Sequence, residues 1–333
     1  MVNIVIVGTG DIALKRHIPG ILQSPSAVLY GFYNRTPSKA QALAQQYHAQ
    51  FYADWQQLLA DPHAQALLIC TPPQSHEELS VQALEAGKHV LLEKPMAPTL
   101  QGAQHIAQAA ENSCGIFAML HVQRFYKPHQ RAKQLLEQGA IGQLLSCRTY
   151  LGNADLSLLH GKPLPDWMGA LSNIGIHRLD LLQYLVGAPI SGAFCRCSRL
   201  VGQSSIPHAA TGDDHAAAIL EFSNGTVGSL IASRTSFHGE DRSTILIGTE
   251  GTITTYSQGH DLILQRVDGE RSVFDFGCAH PQEQLELTNI HELFCQAVLG
   301  QIPTPVSAQA GVDSIQALCA LQRSNAQECW VQI

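Results

Sequence analysis

The chain reads as a two-domain α/β protein: a doubly wound parallel-sheet domain over residues 1–121, then an α+β domain over 122–333 with a mostly antiparallel, open sheet. Three observations predict this. The length of 333 residues suits two domains at about 150 residues each. The first third alternates short apolar runs with helical stretches, which implies a parallel sheet with right-handed crossovers. Beyond about His121 strand-like runs take over, punctuated by turn dipeptides.

In chain order, 2–7 reads as a buried strand and 12–23 as a helix. A second strand covers 28–33, with a helix at 38–47. A third strand covers 66–70, with a helix at 76–86. A fourth covers 89–93, followed by a helix at 99–111 and an apolar run at 115–120. In the second half a helix is expected at 129–137, ended by Gly139. Strands follow at 144–150, 193–200, 216–222, 226–233 and 244–248, with one helix at 173–185. Asn224-Gly225, between two of these runs, is a strong hairpin signal. Two helices, near 286–299 and 311–327, close the chain, and the last is expected to pack back on the first domain.

Composition removes several classes of function. Hydrophobic residues make up 45% and charged residues 14%, and mean hydropathy is near zero, which suits a packed core and not a disordered chain. With 20 basic and 27 acidic residues the net charge is -7, so a nucleic-acid partner finds no basic footprint. No apolar stretch approaches the roughly 20 residues of a membrane-spanning helix. The N-terminus shows neither a basic leader nor a cleavage site. Nine scattered cysteines do not form a disulfide framework, and Cys195 and Cys197 do not fit a zinc spacing. A cytoplasmic protein is expected. His63, His105, His129 and His208 follow no ligand spacing, so no metal is assigned.

Gly8-Thr9-Gly10-Asp11-Ile12-Ala13 stands where the first strand turns into a helix. Gly8 permits the tight turn, Gly10 lets a pyrophosphate approach the backbone, and Ala13 is small enough for helix–strand packing. Phosphate would then sit on the free N–H groups around Asp11 and Ile12. This predicts a Rossmann dinucleotide site. The second strand ends Tyr33-Asn34-Arg35-Thr36, with no carboxylate to hold a ribose diol and with Arg35 and Lys39 close by. NADP is therefore the preferred cofactor and NAD a possible one. The alternative for Arg35 is a surface charge stacked on the adenine of either.

Three further segments narrow the reading: Cys70-Thr71-Pro72-Pro73-Gln74-Ser75-His76, then Leu92-Glu93-Lys94-Pro95, then Ser172-Asn173-Ile174-Gly175-Ile176-His177-Arg178-Leu179-Asp180. With Gln123-Arg124-Phe125 and Pro128 between them, the sequence resembles the glucose-fructose oxidoreductase / inositol dehydrogenase / rhizopine catabolism (Gfo/Idh/MocA) family over nearly its whole length. The resemblance implies cofactor contacts from Thr71, Pro72, His76, Glu93, Lys94 and Gln123. It also implies a catalytic Lys94 before a cis proline, and a proton-handling His177. Lys94 ends an apolar strand, where burial would depress its pKa and ready it to exchange a proton with a substrate hydroxyl.

Two departures stand out. The family pattern Asp-x-Gly-x-His has asparagine at 173 here, which can orient a hydroxyl but adds no charge. Trp167-Met168 stand where consecutive glycines are common. Trp167 is a candidate for stacking on substrate or nicotinamide, or a domain-interface residue. Arg124 is a candidate substrate contact or a surface salt bridge, and His177 could instead be a core histidine satisfied by Asp180. The expected activity is hydride transfer between nicotinamide and a hydroxyl-bearing carbon of a sugar, polyol or inositol-like substrate, by Lys94 and His177 with help from Asn173. The alternatives are an NAD-dependent redox glycosidase and a non-catalytic cofactor-binding sensor. A homodimer or homotetramer is implied.

Overall fold

The computed structural model describes residues 1–160, 166–201, 212–237, 239–277 and 289–333. It divides into two compact units, Met1–Val122 with Pro281–Val312, and Gln123–His280 with Asp313–Ile333.

The first unit holds a six-stranded sheet of β1 (Val2–Val7), β2 (Ala27–Tyr33), β3 (Gln50–Tyr52), β4 (Ala66–Ile69), β5 (His89–Leu92) and β6 (Phe117–Met119). The strands run parallel in the order β3-β2-β1-β4-β5-β6. Leu67, Leu68 and Ile69 of β4 and Val90, Leu91 and Leu92 of β5 are fully buried. Strands covered on both faces need such continuous apolar runs. β3 is too short to show alternation, so the sequence gives no sign of it. The order reverses between β1 and β4, and the open end beside such a reversal is where α/β sheets bind ligands.

The helices of this unit are α1 (Ile18–Gln23), α2 (Pro37–Tyr47), α3 (Trp55–Ala60), α4 (His76–Glu85) and α5 (Leu100–Asn112). Asp54 Oδ1 accepts the Gln57 N–H at 2.9 Å and Thr99 Oγ accepts that of Gly102 at 3.1 Å, so α3 and α5 begin on capping side chains. A later helix, α8 (Ile290–Val298), belongs to this unit too. Its Glu292 accepts from Ser24 Oγ (2.5 Å), Ser26 N (2.9 Å) and Ser26 Oγ (2.7 Å). Further on, the Met119 N–H donates to the Val306 carbonyl at 3.1 Å. The helix before the last thus returns to the first domain, and so do the first residues of the last helix, where Gly311 lies against Met96 and Met119. The division falls inside the last helix, α9 (Ala308–Gln327), most of which serves the second unit: Ser324 Oγ and Asn325 Oδ1 accept the Cys195 and Cys197 N–H groups.

The second unit carries α6 (Lys127–Glu137) and α7 (Ile176–Val186) and a nine-stranded sheet. Its strands are β7 (Leu144–Gly152), β8 (Ile190–Ser198), β9 (His215–Phe222), β10 (Val227–Ser233), β11 (Thr244–Gly248), β12 (Gly251–Ser257), β13 (His260–Arg266), β14 (Arg271–Phe274) and β15 (Val331–Gln332). They lie in the order β14-β13-β12-β11-β7-β10-β9-β8-β15, antiparallel except for β7 beside β10. Gly225, at φ +84°, makes the predicted turn between β9 and β10. β12, β13 and β14 extend the sheet beyond the predicted runs; their threonines and polar residues break up the apolar signal. Burial alternates along β9 and β10, with Leu220 and Leu230 inside and Ile219, Glu221, Val227 and Ser229 outside.

Arg178 of α7 is fully buried, donating to the Arg242 carbonyl at 2.8 Å and to Thr244 Oγ1 at 3.4 Å. Near it, His129 donates from Nδ1 to the Gln123 carbonyl at 2.7 Å and stacks on Tyr126. Burial, helped by the Arg178 charge, pushes His129 down to about 3. In the first unit burial and His17 push His291 down to about 3 as well. Both stay neutral in the folded chain while the unfolded chain takes up protons below about pH 6.5. The stability they contribute is therefore complete above pH 6.5 and is lost as pH falls toward 3. Between pH 6.5 and 5 each should cost roughly 2 kcal/mol. Urea unfolding across that range should show the loss, and His129→Leu should reduce the slope by about one proton.

Candidate active site

The glycine turn is built from both sides. Gly8 has φ +97°, and a Cβ there would stand 3.0 Å from the Cys70 carbonyl and from Thr71 Cγ2. Backbone conformation and the closeness of the β4 end both exclude a side chain. Gly10 is different: a Cβ on it would meet nothing within 4 Å. The protein's own packing does not demand glycine at 10, whereas a pyrophosphate lying on the backbone does. Ala13 is fully buried. The helix then opens with a π-turn, Ala13–His17, before α1. Asp11 points outward and pairs with Lys15 at 2.8 Å, so its main chain, not its carboxylate, is what Asp11 can offer a phosphate; Ile12 does likewise.

Asn34 follows β2. Its amide donates to Thr9 Oγ1 at 2.6 Å and accepts the Thr36 N–H at 2.8 Å, tying the end of β2 to the glycine turn. Arg35 and Lys39 are exposed beyond it. Thr71 Oγ1 accepts from Ser75 Oγ at 2.8 Å, and Pro72 is exposed. His76 is fully buried, with Nδ1 2.9 Å from the Pro95 carbonyl and Nε2 2.8 Å from the Thr71 carbonyl. Two carbonyls ask both nitrogens to donate, while burial, the larger influence, lowers its pKa. One contact is therefore a hydrogen bond and the other a close approach. His76 braces two loops with its ring and has no nitrogen left for a cofactor.

Lys94 lies two residues past the end of β5, half-buried, and the Lys94–Pro95 peptide is cis. Its N–H donates to Glu93 Oε2 at 2.9 Å. The other Glu93 oxygen faces His17 Nε2 at 3.2 Å, and His17 Nδ1 stands 3.1 Å from His291 Nε2. Burial opposes the Glu93 charge, but His17 and Lys94 outweigh it and hold the carboxyl below its usual range. Sequence reasoning did not find His17 or His291. His17 carried a signal, since the first helix turns an ionisable side chain inward there, but its partner lies 274 residues away.

In the second unit, Gln123 is buried and its Oε1 has no hydrogen-bond partner among the described residues. Arg124 forks onto Asp180, Nε to Oδ2 at 2.9 Å and Nη2 to Oδ1 at 2.6 Å, with the guanidinium over the Tyr184 ring. Of its two expected roles the structure gives it the salt bridge, and a buried one. A second π-turn, Ala170–Gly175, carries Asn173 and leads into α7, where His177 is the second residue; both side chains are half-buried. Four residues are about one turn, so the two share a helix side. Gly175 packs against Leu171 and Ala232. The helix start is held by Asp213, whose carbonyl and Oδ2 accept the Ala170 and Leu171 N–H groups at 2.7 and 2.8 Å. Trp167, in a short 3₁₀ turn, is 36% exposed. Among the described residues no group of three His, Cys, Asp or Glu is arranged for a metal, and His208 lies outside them.

A parallel sheet in this order, a glycine turn at its switch point and a lysine just past the fifth strand define an NAD(P)-binding oxidoreductase. Comparison with known proteins agrees. The family model described as "Oxidoreductase family, NAD-binding Rossmann fold" matches residues 2–121, and the "GFO/IDH/MocA C-terminal domain" matches 129–254. Levoglucosan dehydrogenase of Pseudarthrobacter phenanthrenivorans is 31% identical over 260 residues, 69% of this chain and 66% of that protein. The scyllo-inositol 2-dehydrogenase (NAD(+)) of Bacillus subtilis is 28% identical over 246 residues, 72% of this chain and 67% of that one. A solved levoglucosan dehydrogenase in complex with NADH is 26% identical and superimposes with a TM-score of 0.86, covering 100% of this chain and 99% of the other. The chain belongs to the Gfo/Idh/MocA oxidoreductase family.

Asp180 is almost completely buried, its side chain 1% exposed. Arg124→Ala would take the bidentate guanidinium away from that carboxylate and should cost about 3–5 kcal/mol of stability. Arg124→Lys keeps the charge and loses the fork, so it should cost less. Chemical denaturation of the three proteins measures both effects.

Proposed function

We propose that the protein is an NAD(P)-dependent dehydrogenase or reductase that moves a hydride between the nicotinamide and a hydroxyl-bearing carbon of a sugar, polyol or inositol-like molecule. The observation that carries this reading is Lys94, two residues past the end of β5 and followed by a proline braced by His76. The bound nicotinamide supplies hydride acceptance or donation. The chain's own groups do the rest. Lys94 exchanges the hydroxyl proton, His177 assists, and Asn173 orients the hydroxyl through its amide without adding charge. The names of the levoglucosan and inositol dehydrogenases support a polyhydroxylated substrate.

For the cofactor we propose a preference for NADP. The end of β2 presents no carboxylate, Asn34 is committed to Thr9 and Thr36, and Arg35 and Lys39 are exposed beside it. The backbone of Gly8, Gly10, Asp11 and Ile12 would take the pyrophosphate, with Thr71, Pro72 and Gln123 nearer the nicotinamide. A bound NADH is a property of the levoglucosan dehydrogenase structure. Titration of nicotinamide fluorescence should give NADPH the lower Kd, and a lower Kd for NADH would reverse the assignment.

We further propose a homodimer or homotetramer, formed through the outer sheet face of the second unit. Ile219, Val227 and Ile247 are 51%, 49% and 39% exposed on β9, β10 and β11. Apolar exposure of this kind on a sheet face marks an interaction surface, and a second copy of the chain is the partner. Sedimentation should find an oligomer, and a double variant, Ile219→Lys with Val227→Glu, should shift it toward monomer. A reducing cytoplasm is the compartment we propose, from the scattered cysteines.

Lys94→Ala should abolish turnover, by more than about a thousandfold, and leave cofactor affinity within a few-fold. A screen of sugars and polyols at the nicotinamide absorbance band provides the assay. Cofactor binding without turnover on any substrate, or a Lys94→Ala variant that keeps most activity, would overturn the reading.

A further inference from the structure

Glu93, its side chain 12% exposed, and the buried His17 and His291 form a continuous chain of ionisable groups in the first unit. An ionised carboxylate accepts hydrogen bonds and donates none, so at 3.2 Å His17 Nε2 is the donor to Glu93 Oε1. That assigns the His17 tautomer. The remaining His17 nitrogen, Nδ1, then accepts from His291 Nε2 at 3.1 Å when His17 is neutral, and donates to it when His17 carries a second proton. The Glu93 contact survives in either state.

The seat of His291 is specific. A Cβ on Gly20 would fall 2.3 Å from His291 Nδ1 and 2.4 Å from Cε1. The ring therefore lies directly on the backbone of α1, where glycine costs about 1 kcal/mol in helix stability relative to alanine. His17 reaches inward from the π-turn, a feature common where helices carry functional side chains. At the other end of the chain, Glu93 Oε2 accepts the main-chain N–H of Lys94 at 2.9 Å. The other titratable groups facing Glu93 are Cys70 at the end of β4, whose thiol is neutral because burial and Glu93 both raise it, and His76 of α4.

We propose that His17, seated by His291 over Gly20, is a positioning residue for proton transfer: it fixes the Glu93 carboxylate against the Lys94 main chain and so sets the direction of Lys94 and its pH response. This rests on the reading of Lys94 as the proton-exchanging group.

His17→Gln and His17→Asn separate the role from general packing. Both are polar, but the longer Gln amide reaches the Nε2 position and can still donate to Glu93, whereas Asn reaches only the Nδ1 position. His17→Gln should keep kcat within about threefold. His17→Asn should lower kcat by about tenfold or more, with KM and cofactor Kd within about threefold, and should displace the pH profile of kcat. Equal activity of the two variants, or an unmoved pH profile in His17→Asn, would overturn the proposal. Competitive acetylation of Lys94 by acetic anhydride, followed across pH by mass spectrometry, gives the same comparison without turnover. An altered Lys94 labelling profile in His17→Asn supports the proposal even if no sugar is oxidised, a result that counts against the proposed function alone. An unaltered profile sinks it.

Discussion

A carboxylate buried at the end of β5 sets terms for the first unit. Stripping Glu93 of water costs several kcal/mol unless charge and hydrogen bonds return the loss. Two groups do so, the Lys94 N–H on one oxygen and His17 on the other. Each contact constrains something distant. His17 must point inward from a helix whose first duty is to present its N-terminus at the glycine turn, and a π-turn of five residues accompanies that arrangement. His291 must arrive from beyond residue 288, which joins a late segment to the domain that begins the chain. Gly20 must remain without a side chain. A fold explained by its parallel sheet alone would require none of these.

The contrast with the second unit is instructive. Two of its deeply buried ionisable side chains, Arg178 and Asp180, neighbour the helix positions expected to do chemistry, yet both are engaged inward. Asp180 gives both oxygens to Arg124, and Arg178 donates to a carbonyl and a hydroxyl at β11 and the residue pair before it. Asn173 and His177 are half-buried where Arg178 and Asp180 are buried, so the ionised side chains here are the ones taken up in structural contacts. Gly175, packed on Ala232, lets that helix approach β10 closely.

Much of this was legible in the sequence, and the limits have physical causes. The glycine turn, the strands β1, β4 and β5 and the Lys94 position follow from local patterns: an apolar run, a turn residue, a polar residue at the strand end. Asn224-Gly225 gave its hairpin for the same reason. β12 to β14 escaped because a sheet with one solvated face tolerates threonine and arginine in its strands. His17 with His291 escaped for a different reason, since no local pattern reports a contact spanning most of the chain. His76 was read as a cofactor residue, and its burial between two carbonyls makes it a brace instead. Motif position reveals that a residue matters; its hydrogen bonds reveal how.

The asparagine at 173 gains meaning from the same accounting. An aspartate there would place formal charge beside His177, whereas the amide places none, and Asp180 on the next turn is already matched by Arg124. The carboxylate next to the proposed proton-exchanging lysine is Glu93, held below the usual carboxylate range despite burial. That carboxylate therefore belongs to the end of β5, in the unit that carries the glycine turn, and position 173 adds none.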